Sequence, residues 1–161
     1  MEIQVEAGYS KKWVEALRSY IGVPFLHQGR TRAGLDCIGL LAVAARDIGL
    51  GDGAVKLTAY DRTPDNRLFA KRAGDFLERK PYTRLQPLHT QLDIGDVLLF
   101  WIEKKGYPRH IAVYTGTDEH GRLMIIHSYA KQSKNVIEMP MNLGYWEQRI
   151  DSVWRLPTAK G

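Results

Sequence analysis

One cysteine, Cys37, stands in the stretch Gly34-Leu35-Asp36-Cys37-Ile38-Gly39-Leu40-Leu41, directly after a residue that caps helices and directly before an apolar run. Asp36 favours the N-cap position, and Ile38, Leu40, Leu41, Val43, Ala44, Ala45 and Ile48 are apolar on nearly all sides until Gly49. The spacing therefore predicts a buried helix from about Asp36 to Ile48, with the sulfur in its first turn. Free N–H groups and the positive end of the peptide dipole gather there and favour thiolate. An ordinary thiol pKa of about 8.5 then falls to roughly 3.5–7.5 when a base assists. Nucleophilic attack on a carbonyl is the chemistry such a thiolate performs.

That chemistry needs an imidazole to exchange a proton with the thiol and a second polar group to fix the imidazole's tautomer. His110 opens one predicted strand and His127 closes the next, so a short antiparallel turn between them makes the two cross-strand neighbours. Cys37, His110 and His127 can then act as nucleophile, base and orienter, and backbone N–H groups at the helix start can hold an oxyanion. Other assignments stay open on residue types alone. A lone buried cysteine is otherwise a small core hydrophobe. His27, His89 and His120 read as ordinary polar residues, and a metal site built from the histidines and Asp36 lacks an HExxH or i, i+4 pattern. No metal or cofactor is called for.

The elements that must position these groups follow from periodicity. Ser10 caps a first helix with Trp13, Val14, Leu17 and Tyr20 on one face, ending at Gly22. A polar loop broken by Pro24, Gly29 and Gly34 leads to Cys37. Thr63-Pro64-Asp65 starts an amphipathic helix that reaches Leu77 with an interruption near Gly74, and Pro81 and Pro87 mark an irregular passage. The second half changes period: Asp96–Trp101, His110–Tyr114, Arg122–Ser128, Asn135–Glu138 and Ser152–Leu156 read as strands, with a helical turn or two between Asn142 and Gln148. Helices first and a meander of about five strands second give an α+β class in a single domain over 1–161.

Lys and Arg number 23 against 18 Asp and Glu, a net charge of +5. The basic residues are dispersed among acids and form no nucleic-acid motif, which disfavours nucleic acid and leaves an anionic membrane or an anionic polymer such as cell-wall material open. No stretch is long and apolar enough for a membrane span, and MEIQVEAGYSKKW lacks the pattern of a signal peptide. Synthesis in the cytoplasm is expected.

Taken in order, Tyr20-Ile21-Gly22-Val23-Pro24-Phe25, Gly34-Leu35-Asp36-Cys37-Ile38-Gly39-Leu40, Ile94-Gly95-Asp96-Val97-Leu98-Leu99-Phe100, His110-Ile111-Ala112-Val113-Tyr114 and Ile126-His127-Ser128 resemble successive motifs of the NlpC family of papain-like cell-wall cysteine peptidases. Gly144-Tyr145-Trp146 and Val153-Trp154-Arg155-Leu156 fall at comparable places. The resemblance implies a papain-like fold and hydrolysis of peptidoglycan stem peptides between D-glutamate and the following diamino acid, through a thioester on Cys37. It makes His110 the base and then the acid, and His127 its orienter.

The loop His27-Gln28-Gly29-Arg30 resembles that of the branch carried by tailed phages and prophages. This implies a place at a tail tip, other tail proteins as partners, and a route to the wall within a virion. Two positions depart from the family pattern: Phe25 stands where many members have tyrosine, and Ile38 where they have serine. In relatives that bind the free amine of a terminal L-alanine, those two residues and the aspartate before the cysteine form the amine pocket, of which Asp36 alone remains. Substrate contacts are accordingly expected around Asp36, Phe25, His27 and Ile38, with Arg30 near them. A tail-assembly or wall-binding module that leaves the pocket unused is the alternative.

Overall fold

Trp13, Val14 and Leu17 lie buried along α1, Tyr9–Arg18, with Tyr20 buried in the turn just after it, in a computed structural model that describes residues 9–49, 83–85, 91–130, 134–141 and 144–155. The predicted second helix forms as α2, Cys37–Asp47, and every residue from Cys37 to Ala45 is buried. Asp36 caps it, its carboxylate accepting from the Gly39 N–H at 2.7 Å. Gly39 lets the preceding loop lie against this first turn: a Cβ there would sit 2.1 Å from the Gly29 carbonyl oxygen and 2.6 Å from the Arg30 guanidinium.

Between the helices, β1 (Arg30–Thr31) and β2 (Gly34–Leu35) form a two-residue antiparallel ladder. The polar loop expected from sequence is thus internally bonded rather than simply solvated. The remaining strands, β3 (Thr83–Leu85), β4 (Val97–Trp101), β5 (Pro108–Thr117), β6 (Leu123–Ser128), β7 (Val136–Pro140) and β8 (Ile150–Arg155), build one sheet in the order β3-β8-β4-β5-β6-β7. All five predicted strands are present and all neighbours are antiparallel. The addition is β3, too short to carry a periodic signal, which pairs with β8 at the edge. A short 3-10 helix, Glu147–Arg149, overlaps the end of the predicted helical turns. The helix predicted over 63–77, and His89, lie outside the described residues.

The sheet is apolar on both faces, because β4 and β5 lie at its centre. Val97, Leu99, Ile111, Val113 and Ile126 pack against α1 and α2, while Leu98, Phe100, Ala112, Tyr114 and Ile125 pack with Met141, Trp146 and Val153 on the other side. Asp96, 1% exposed, receives Arg155 at 2.9 and 3.0 Å and so locks the start of β4 to the end of β8. The helices are held over the opposite half of the sheet by Arg18 of α1, whose guanidinium donates to Glu138 of β7 at 2.8 Å.

Candidate functional site

Cys37 meets the sheet where two strands part. β5 and β6 pair from Thr117↔Leu123 as far as Val113↔Ile126. Beyond that point the Ser128 hydroxyl instead donates to the Leu35 carbonyl at 2.7 Å, drawing the chain before α2 into the opening. The sulfur there receives the N–H groups of Ile111, from β5, and Ile38, from its own helix. Cys37 is 8% exposed, so only an edge of it faces solvent. Burial pushes the thiol pKa up, and the Asp36 carboxylate pushes it further; the Ile111 and Ile38 N–H groups and Arg30 oppose both. This reverses the thiolate bias expected from a helix start. The same aspartate that caps the dipole sets a negative charge beside the sulfur, and loss of water disfavours the anion.

His110, the residue before Ile111, lies opposite Phe100 of β4, just past a bulge whose extra residue is Arg109. Bulges shift register and re-aim side chains, and this one lies next to the site. His110 and His127 emerge on the face away from α2, and His110 Nε2 lies 2.7 Å from His127 Nδ1. The other nitrogen of His127, Nε2, lies 3.3 Å from the sulfur of Met139. A thioether can only accept, so His127 carries its proton on Nε2 and offers a lone pair at Nδ1. His110 therefore donates from Nε2 and keeps a bare lone pair at Nδ1. That is the tautomer a general base requires.

Both rings are held neutral. Burial lowers the pKa of His127 to about 4, and burial together with the neighbouring imidazole takes His110 well below its ordinary value. Tyr129, Trp146 and Phe100 wall the pair, with ring centroids 4.7, 5.3 and 6.2 Å from that of His110. Thiol and imidazoles are thus all uncharged at rest.

The structure brings His110 and His127 into contact, sets the N–H of Ile111, the residue after His110, on the Cys37 sulfur, and spreads the other candidate residues over the loop and helix. Asp36 is 2% exposed and accepts from Gly39 N–H at 2.7 Å, Gln28 N–H at 2.8 Å and Arg30 at 3.0 Å. Burial raises its pKa despite these donors. Ile38 is fully buried in the core between helices and sheet. Phe25 and His27 are half-buried in the loop, Phe25 donating its N–H to the Lys134 carbonyl at 2.7 Å. His120 is exposed. Among the described residues no three of His, Cys, Asp and Glu gather as metal ligands, and no helix is long and apolar enough to cross a membrane.

The sequence model of the NlpC/P60 family matches residues 22–155. The chain belongs to the NlpC/P60 family. An NlpC/P60 protein from Bacillus cereus ATCC 10987 is 20% identical, with a TM-score of 0.61 over 92% of this chain and 40% of that one, so the chain spans well under half of that protein. The NlpC/p60 domain of the peptidoglycan hydrolase SagA is 17% identical, with a TM-score of 0.56 over 91% of this chain and 98% of the domain. An N-acetylmuramoyl-L-alanine amidase from Bacteroides uniformis ATCC 8492 is 12% identical, with a TM-score of 0.58 over 92% and 99%. These likenesses are of fold. The comparison with curated proteins gives no match.

Within this NlpC/P60 chain, three neighbours of the site were not singled out from sequence as part of it: Tyr129, Trp146 and Met139. Tyr129 follows His127 by two positions, so strand alternation alone places both on one face. Met139 and Trp146 reach the histidines only through β7 and the turn after it, and no local pattern marks them.

Acid should weaken the fold through this cluster. Between pH 6.5 and about 4 an unfolded chain protonates His127 while the folded chain does not. Stability is complete above pH 6.5 and falls as pH drops toward 4, by on the order of 3 kcal/mol for this one group. Urea midpoints of the wild type should therefore drop between pH 7.5 and 4.5, and the drop should shrink in His127→Asn. An equal drop in both proteins would assign the acid sensitivity to other groups.

Proposed function

We propose that this domain is a cysteine peptidase that hydrolyses an amide bond in peptidoglycan stem peptides. The observation that carries the reading is the hydrogen-bond relay from Met139 through His127 to His110, which leaves His110 Nδ1 as the free base, in a strand whose next residue, Ile111, bonds the Cys37 sulfur. In this reaction the Cys37 proton passes to His110 as the sulfur attacks the carbonyl carbon. The tetrahedral oxyanion is held by N–H groups at the start of α2. Its collapse breaks the C–N bond, the His110 imidazolium protonates the departing amine, and a thioester remains. Water, deprotonated by His110, then attacks the thioester, and the thiol is regenerated as the acid leaves.

Family membership supports this reading, as do neighbours named as a peptidoglycan hydrolase and a muramoyl-alanine amidase. Another neighbour of the same fold, Ly7917, was solved with the hydrolysing product of MDP. We place the scissile bond between D-glutamate and the diamino acid, and delivery to the wall in a phage or prophage tail, on the resemblance of the sequence motifs and of the His27–Arg30 loop.

Purified muropeptides incubated with the protein should yield products that mass spectrometry assigns to one bond. Cys37→Ala should lower the rate by about three orders of magnitude or more while keeping the fold. Undiminished hydrolysis by that variant removes the nucleophile from the reading. A wild type that binds muropeptides and cleaves none assigns the domain to wall binding.

A further inference from the structure

In the relatives that the sequence motifs resemble, the aspartate before the nucleophile meets a short substrate's free amine. In this chain that anion is already occupied. Asp36 Oδ1 receives Gly39 N–H and Arg30 Nη1, and Oδ2 receives Gln28 N–H. Three of the carboxylate's roughly four lone-pair positions are taken. Arg30 Nη1 also donates to the Gly29 carbonyl at 2.7 Å, so one nitrogen is held between that carbonyl and Asp36. The contact has no slack, since the Gly29 carbonyl and Arg30 Nη1 press on the bare Cα of Gly39. The two positions that carry a hydroxyl in those relatives offer a substrate ammonium no side-chain acceptor: Ile38 is buried in the core and Phe25 is apolar. An ammonium brought there would leave two cations sharing one buried carboxylate, with neither fully hydrogen-bonded.

We infer that Arg30 stands, from within the chain, in the place a substrate's free amine would take at Asp36, and that the site therefore accepts stem peptides whose first residue is N-acylated, as when still amide-linked to the glycan. An amide N–H at that end carries no charge and asks for one acceptor rather than three. The inference rests on the peptidase reading given above, and it makes Arg30 a specificity-determining residue that acts through Asp36. The enzyme would then work on uncut wall and not only on released peptides.

A matched pair of stem tetrapeptides, one with a free L-alanine amine and one N-acetylated, tests this in two ways. For hydrolysis, wild-type kcat/KM for the acetylated peptide should equal or exceed that for the free amine. Arg30→Met should shift the ratio toward the free amine by about tenfold, as loss of a competing charge-assisted bond implies, while Arg30→Lys keeps the wild-type ratio. For binding, Cys37→Ala protein titrated with each peptide should favour the acetylated one, whether or not the wild type cleaves. A tenfold or greater preference for the free amine in either assay overturns the inference, as does binding of neither peptide. Preferential binding of the acetylated peptide without wild-type cleavage overturns only the peptidase reading. Should Arg30→Met fail to fold, the wild-type and Arg30→Lys ratios still decide.

Discussion

His110→Gln is expected to lower kcat/KM on muropeptides by about three orders of magnitude, with unfolding midpoints close to wild type. Glutamine has a side-chain N–H that can still donate to His127 Nδ1, so the buried acceptor keeps a partner. It has no basic nitrogen, and both proton transfers of the proposed reaction are lost together. His127→Phe should act differently: it leaves the His110 Nε2–H buried without an acceptor, which costs about 1–3 kcal/mol of stability and frees the imidazole to take the wrong tautomer. Its rate loss should be about a hundredfold, and His127→Asn, which restores an oxygen acceptor, should recover part of it. Steady-state kinetics with denaturant melts on the same samples separates the effects. A His110→Gln enzyme that keeps more than a tenth of wild-type kcat/KM would place the base elsewhere.

Alkylation of Cys37 by iodoacetamide should climb about tenfold per pH unit from pH 6 to 9, a thousandfold in all, with no plateau. The groups that act on the sulfur set this direction. Burial and Asp36 disfavour the anion, Arg30 and the Ile111 and Ile38 N–H groups favour it, and Tyr129 lies close enough that the sulfur's charge acts on it. His110 and His127 are both held neutral by burial and supply no resting cation to pair with a thiolate. Asp36→Asn keeps a good helix cap and removes the charge, so at pH 8 that variant should react several-fold faster than wild type. A rate already level between pH 6 and 7 would mean that thiolate and imidazolium exist at rest. Slow reaction at pH 6 is thus expected of the peptidase proposed here. It does not by itself mark an unused pocket.

The elements were legible because each rests on a short-range rule. Asp36 followed by an apolar run ended at Gly49 is a capped buried helix whatever surrounds it, and short apolar runs bounded by turn residues in the second half marked five of the six strands in the sheet. β3 escaped because three residues hold no period, and its pairing with β8 is a long-range fact. The juxtaposition of His110 and His127 was also legible, since a short antiparallel turn leaves little choice of neighbour. Family motifs in order then pointed to the papain-like fold, and family membership agrees with them.

What the sequence by itself determined is the helix start that holds the cysteine and the strand order that joins the histidines, because caps, turns and periods act over a few residues. Tertiary structure decided the electrostatics. Whether the helix dipole or the loss of water governs the thiol depends on how deeply Cys37 sits in the parting of β5 and β6. Which nitrogen of His110 is free depends on a thioether from β7. Whether Asp36 faces a substrate or an arginine of its own loop depends on the packing of Gly29 against Gly39. Each is a balance of burial and contact between residues far apart in the chain, and local patterns carry no record of it.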